Sequence, residues 1–452
     1  MGRSDPADGP LWVRNGLVLL LTAFVLPPLR GYLDTSLGLG WLRDYDFRDL
    51  TKSDQGEDVR GRWQALIVLT LARVSMGFQF QSVGSVAPLL TRGLGVSYAD
   101  VGFLIGLYML PGVVLALPGG VLGQRFGDKR MVTLGLLLMF AGGALTGVAH
   151  GYPGLVAGRA LSGIGAVLLN VLMSKMVTDW FAGREIVLAM AVFVNSFPIG
   201  IGIALLSLGG LGESSGWGTS FQTTAFATLA ALLLVVFAYR SHANDRAFAA
   251  RAAWAVKLPP REAVLVCVAG AIWGILNGAF GIMLGFAPIL LIAKGMMVGE
   301  AGFLVGLTTW LIVGSVQAGG IIAQRWKCPN ALMLIGLLAT GCALLSLPQE
   351  PPFLPLIAIG LALGLPVGVI LSLPAEVLRP EHRGTGMGLF YTWLYIGHAG
   401  LPPTAGWLQD IVGGVAASIY FAGGLFLFTL PLFGVFRLMQ GHSIHPVPLR
   451  PD

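Results

Sequence analysis

Gly102-Phe103-Leu104-Ile105-Gly106-Leu107 recurs as Gly302-Phe303-Leu304-Val305-Gly306-Leu307, an offset of 200 residues. The offset holds elsewhere. Ala87-Pro88 returns as Ala287-Pro288, Asp100 is matched by Glu300, and Gly119-Gly120 with Gln124-Arg125-Phe126 returns as Gly319-Gly320 with Gln324-Arg325-Trp326. Leu134-Gly135-Leu136-Leu137 aligns with Ile335-Gly336-Leu337-Leu338 after a one-residue insertion. Collinear matches of this kind mark a duplicated unit, which shared Gly/Leu richness alone does not produce.

What is duplicated follows from composition. The chain has 452 residues, 55% of them hydrophobic, 11% charged and 65 of them glycine, with a mean hydropathy of +0.78. A soluble protein carries about 25% charged residues and about 7% Gly. So few charges cannot cover a water-exposed surface of this size. High apolar content with low net charge also excludes a disordered chain, and the long apolar runs exclude an outer-membrane barrel, whose strands alternate.

A membrane-spanning helix needs ~20 mostly apolar residues. Twelve such stretches follow Trp63, at 63–90, 99–122, 131–149, 153–176, 185–208, 220–239, 262–291, 301–323, 331–348, 353–375, 386–408 and 414–436. Basic residues sort them. The even-numbered connections hold 14 Lys and Arg: Arg125, Lys129, Arg130, Lys175, Arg184, Arg240, Arg246, Arg251, Lys257, Arg261, Arg325, Lys327, Arg379 and Arg383. The odd-numbered ones hold only Arg92 and Lys294. Basic loops stay inside, so both ends of the twelve-helix core are expected in the cytoplasm. The net charge of +6 is therefore a topology signal, and a nucleic-acid partner is not expected. The lipid bilayer is.

The repeat thus spans six helices and keeps its orientation. The expected organisation is an extension over 1–61, a bundle over 62–240, a cytoplasmic linker over 241–261, a second bundle over 262–440 and a cytoplasmic tail over 441–452. Gly102/Gly106 and Gly302/Gly306 give the second span of each half a small-residue face for close helix approach.

One cytoplasmic connection is specific. Gly120-Val-Leu-Gly-Gln124-Arg125-Phe-Gly127-Asp128-Lys129-Arg130 resembles the loop motif of the major facilitator superfamily, Gly-x-x-x-Asp-Arg-x-Gly-x-Arg/Lys-Arg/Lys, with Gln124 in place of the usual acid. Arg159-Ala-Leu-Ser-Gly163-Ile-Gly165 is similar to that superfamily's fourth-helix pattern. Arg383-Gly384-Thr-Gly386-Met-Gly388 and Gly406-Trp407-Leu-Gln-Asp410 resemble the ends of its eleventh helix. The resemblance covers about 62–440. It implies an all-α membrane protein of twelve transmembrane helices in two pseudo-symmetric six-helix bundles, a fold built from parallel repeats. It also implies a gate at Gly120, Gln124, Arg125, Gly127, Asp128, Lys129 and Arg130, repeated at Gln324 and Arg325. Neutral Gln124 should weaken that gate's ion pair. The lack of buried acids and the Arg73-containing first span are similar to cyanate-permease-like bacterial carriers.

Ionisable residues inside a membrane mark pathways by default. Arg73 lies about ten residues, or ~15 Å, into the first span, and Arg159 lies about six residues, or ~9 Å, into the fourth. No Asp or Glu lies comparably deep. An unpaired deep arginine needs carbonyls, water or an anion. Two readings follow: an electropositive cavity for a small carboxylate or inorganic anion, or a structural arginine. Trp273 stands opposite Arg73 by the repeat, and Asn277 shares its face. Gln81, Asn170, Tyr391, Tyr395 and His398 complete the candidate substrate site. A coupling proton or counter-anion is expected as co-substrate. His398 suits proton transfer by its ordinary pKa and suits helix packing equally.

Asp100 and Glu300 open their helices, where carboxylates favour the helix dipole. Cys267, Cys328 and Cys342 are too scattered for a metal or disulfide framework, so no cofactor is expected. Gly212-Glu-Ser214-Ser-Gly216 matches a hydrolase pattern but sits between two helices without the strand-turn-helix setting that chemistry needs. There is no phosphate-binding loop for ATP. Residues 15–29 are apolar but short, bracketed by Arg14 and Arg30 and broken by Pro27-Pro28. They fit an interfacial or re-entrant helix, or a thirteenth span. The sum is a secondary transporter, with a transporter-fold sensor or an exporter of neutral or cationic compounds as the alternatives. It is expected to act as a monomer in the bacterial inner membrane.

Overall fold

The computed structural model describes residues 55–181, 186–240, 258–379 and 382–441. The segment 15–29, the linker residues 241–257 and the tail from 442 lie outside the described residues. The chain divides into two compact units, Met1–Gly61 and Arg62–Asp452.

Among the described residues all regular structure is helical. The first span is α1 (Gln55–Phe80) followed by α2 (Ser82–Leu94), and the second is α3 (Tyr98–Leu107) followed by α4 (Pro111–Phe126). Next come α5 (Asp128–Gly147), α6 (Tyr152–Phe181), α7 (Ile186–Ser215) and α8 (Trp217–Ala238). The second half comprises α9 (Pro260–Ala293), α10 (Val298–Trp326), α11 (Pro329–Ser346), the pair α12 (Phe353–Ala362) and α13 (Val367–Val377), α14 (Arg383–Val412) and α15 (Ala417–Gly441).

Among the described residues eleven helical stretches are long and apolar enough to cross a membrane. The twelfth, α14, has the length at 30 residues but carries Tyr391, Tyr395, His398, Pro402 and Pro403 where its neighbours carry aliphatics. It is the polar interior helix of the second half. Gly212–Ser215 forms the last turn of α7 rather than a loop, which leaves the hydrolase-like pattern without an elbow.

Three spans that read as continuous are interrupted, each for a local reason. Pro111 starts α4 and has no N–H to continue the ladder. Pro366 does the same before α13. At Gln81 the cause is a side chain: the Arg159 guanidinium takes the carbonyls of Gln79 and Phe80 at 2.9 and 3.0 Å. A group inserted into the backbone ladder breaks a helix.

The glycine faces are where the halves meet. A Cβ on Gly102 would lie 2.2 Å from the Pro402 carbonyl oxygen, and one on Gly106 2.5 Å from that of Ala399. The counterpart Gly302 stands in the same relation to Leu205, at 2.5 Å. So α3 crosses α14 and α10 crosses α7 at backbone contact. Dispersion between close backbones replaces the hydrophobic drive that lipid removes.

Candidate functional site

Arg73 of α1 lies at the centre of a polar chain drawn from four helices. Its Nε donates to Asn170 Oδ1 of α6 at 3.2 Å, and its Nη1 donates to the carbonyls of Phe193 and Val194 of α7 at 2.9 and 3.0 Å. Asn170 Nδ2 donates in turn to the Tyr395 hydroxyl of α14 at 3.2 Å. The guanidinium lies over the Phe193 ring at 4.7 Å and the Phe197 ring at 5.8 Å from their centroids. An arginine has five N–H donors. Nε and Nη1 account for three, and Nη2 makes no hydrogen bond among the described residues. Among the described residues no carboxylate reaches Arg73.

Several expected site residues stand elsewhere. Arg159 is 1% exposed and committed to protein: besides Gln79 and Phe80 it donates to the Leu104 carbonyl at 3.1 Å and lies over the Tyr108 ring at 4.5 Å. It clasps the first and second spans together and is not brought to Arg73. Gln81 is also buried away from Arg73, with its Nε2 on the Leu284 carbonyl of α9 at 2.9 Å. His398 packs edge-on against Phe80. Trp273 stacks on Phe390 at 6.3 Å, its indole N–H buried without a partner. Asn277 donates back to the Trp273 carbonyl at 2.8 Å. Of the expected set, Asn170 bonds Arg73 and Tyr395 bonds Asn170, with Tyr391 one turn from Tyr395 on α14.

Sequence reading passed over Phe193 and Phe197, which look like ordinary core residues. It also passed over Asp410 as a functional group. The Asp410 carboxylate at the end of α14 accepts the N–H groups of Tyr98 and Ala99 at 3.0 and 2.8 Å. It thus caps α3, a helix of the other half, where a negative charge is favoured. Ser97 and Asp100 form a capping box on the same turn, with the Ser97 N–H donating to Asp100 at 3.0 Å. Glu300 accepts from the Met297 N–H at 3.2 Å, as expected for a helix-opening acid.

These contacts between halves lie toward one end. Along the crossing of α3 and α14 they run from Asp410 and Gly406 down to Tyr395, whose ring a Cβ on Gly112 would strike at 2.1 Å. Between α7 and α10 they run from Gly209 and Val298 to Gly202 and Trp310. The Gln81–Leu284 bond lies in the same tier. Arg73 lies on the far side of that tier, toward the basic loops, and keeps partial exposure, as do Asn170 and Tyr391.

At the basic end several polar contacts hold each half together internally. Asp128, buried at the start of α5, pairs with Lys175 of α6, which also meets Asp179 at 3.1 Å. Lys129 Nζ donates to the carbonyls of Val236 and Tyr239 at 3.0 and 2.7 Å, capping α8. In the second half Glu262 of α9 pairs with His382 at 2.7 Å and Arg379 at 3.5 Å. Arg125, Arg130 and Arg325 are exposed, with Arg125 over the adjacent Phe126 ring at 5.5 Å. Gly127 links α4 to α5 at φ 91°, a conformation that only glycine adopts without strain. The side chains of Gln124 and Gln324, and Gly120, lie outside the described residues.

Two six-helix halves closed at one end over a central arginine define a membrane transporter of the two-bundle class. The chain belongs to the Major Facilitator Superfamily, whose family model matches residues 69–402. Cyanate transport protein CynX of Escherichia coli is 26% identical over 333 residues, 69% of this chain and 81% of that protein. An uncharacterised transporter of Buchnera aphidicola is 26% identical over 165 residues; the match spans 36% of this chain and 42%, under half, of that relative's length. Among solved structures, a bacterial homologue of the lysosomal transporter Spinster, in an inward-facing and occupied conformation, superposes with a TM-score of 0.67 at 15% identity, over 87% of this chain and 99% of its own. The relatives are transporters, not enzymes.

Proposed function

We propose that the protein is a secondary active transporter for a small organic or inorganic anion, working by alternating access of residues 62–240 against 262–440. The observation that carries this is Arg73: among the described residues, a deep guanidinium with no carboxylate partner and an amino group left without a hydrogen bond, tied to the second half through Asn170 and Tyr395. A buried cation without a countercharge is costly. An anion arriving between the bundles relieves that cost, and its charge-assisted hydrogen bond is stronger than any neutral contact there.

The distribution of Lys and Arg supports a cytoplasmic basic-loop end. The tier closed by Asp410 and the glycine crossings then faces outward, and Arg73 is reached from inside. Cyanate, named for the CynX relative, is an anion, which fits this reading. Substrate and a coupling proton or counter-anion supply the driving gradient. With Arg159 spent on carbonyls and no deep acid, the proton route falls to His398 or to the substrate itself. The setting is the bacterial inner membrane and the working unit a monomer.

The test is Arg73→Gln in proteoliposomes. Labelled anion uptake is expected to vanish while the variant inserts and keeps the wild-type helical content. Unchanged uptake, or transport of cations in place of anions by the wild type, overturns the reading.

A further inference from the structure

We propose that the preferred substrate is a planar organic anion, an aromatic or conjugated carboxylate, rather than a small hydrated anion. This rests on the reading of Arg73 as the anion site and concerns what surrounds it.

The guanidinium lies against two rings of one helix, α7. Phe193 and Phe197 cover it, and Phe197 packs on Phe80 at 5.5 Å, continuing the aromatic wall toward the closed tier. On the opposite half stands Tyr391. It is one helical turn from Tyr395, whose hydroxyl meets Asn170, so the two tyrosines share the face of α14 turned to the bundle interior. Tyr395 is 3% exposed, whereas Tyr391 is 40% exposed. Tyr391 therefore keeps the larger accessible aromatic surface of the two. Behind it, Phe390 packs edge-on at 5.5 Å and stacks on Trp273, which fixes its orientation.

The polar inventory is correspondingly thin. Asn170 is engaged on both sides, its Oδ1 by Arg73 and its Nδ2 by Tyr395. Asn277 has its amide on its own helix. A compact inorganic anion needs several donors to replace its water, and desolvating it against rings is costly. A flat carboxylate needs few: its oxygens take the free Nη2 protons, and its ring lies on aromatic faces that stabilise offset or edge contacts. Arginine suits this arrangement because its plane stacks while its edge donates.

The experiment is thermal-shift and competition binding on the purified full-length protein, with benzoate, phenylacetate and cinnamate against acetate, lactate and cyanate. Aromatic carboxylates are expected to bind at least about tenfold more tightly, the factor given by ~1.4 kcal/mol of ring contact. Tyr391→Leu is expected to shrink the benzoate-to-acetate ratio several-fold. Equal or tighter binding of acetate or cyanate, or no binding by any aromatic member, overturns the proposal. If Arg73→Gln abolishes binding of the whole panel while the ratio is flat, the anion site stands and only this inference falls. If benzoate binds Arg73→Gln as it binds wild type, the anion site itself falls.

Discussion

Removing the Asp410 carboxylate should open the outer tier. Asp410 bonds two consecutive backbone N–H groups at the start of α3 across the boundary between halves. When the tier opens, both the carboxylate and the amides regain water, so the relevant figure is a capping energy and not a bare hydrogen-bond energy. A helix N-cap contributes typically about 1 kcal/mol, and a carboxylate at a helix N-terminus adds about 0.3–1 kcal/mol. Asp410→Ala is then expected to cost the closed state about 1.3–2 kcal/mol, a roughly 9- to 30-fold shift in the equilibrium between the two access states. Asp410→Asn keeps a good neutral cap and loses only the charge term, so its shift should stay near two- to fivefold. Spin labels at His150 and Glu350, one on each half at the closing end, read the two populations as distances. The three native cysteines, all free, are replaced first. Identical distance distributions in wild type and Asp410→Ala would refute the reasoning, and a shift in Asp410→Asn as large as in Asp410→Ala would refute the division between cap and charge.

Two further outcomes follow from the same contacts. Arg159→Met should destabilise the protein by at least about 3 kcal/mol, because it strands buried carbonyls of Gln79, Phe80 and Leu104 that the guanidinium now satisfies, at ~1–3 kcal/mol for each unsatisfied group; thermal unfolding in detergent measures this, and a melting temperature at or above wild type contradicts the clasp. Gly406→Leu should hold the outer tier open and stop transport while binding persists, since its Cβ meets the Tyr98 carbonyl oxygen at 2.1 Å; transport at the wild-type rate would show that α3 and α14 do not need this approach.

Much of the architecture was legible because lipid imposes simple rules. A chain in hydrocarbon must satisfy its backbone within helices, so span number followed from apolar runs. The 200-residue offset and the glycine pairs then carried the bundle pairing, since two glycines one turn apart serve little purpose except close approach. The candidate site was less legible. Arg73 and Arg159 read alike as deep arginines, and their fates diverge in space. Arg159 spends its donors on the carbonyls of Gln79, Phe80 and Leu104, whereas Arg73 faces Asn170, two carbonyls and rings, and keeps donors unspent.

The sequence by itself determined twelve spans, their duplicated order and, through its basic loops, an orientation, because each depends on hydrophobicity and charge summed along the chain. Tertiary structure decided which arginine serves the bundle and which is open to a ligand. It also decided that Asp410 closes on a helix about 310 residues earlier in the chain, and that two aromatic rings lie against the cation. Those outcomes depend on which side chains meet across helices, a matter of direction and distance that one-dimensional order does not contain.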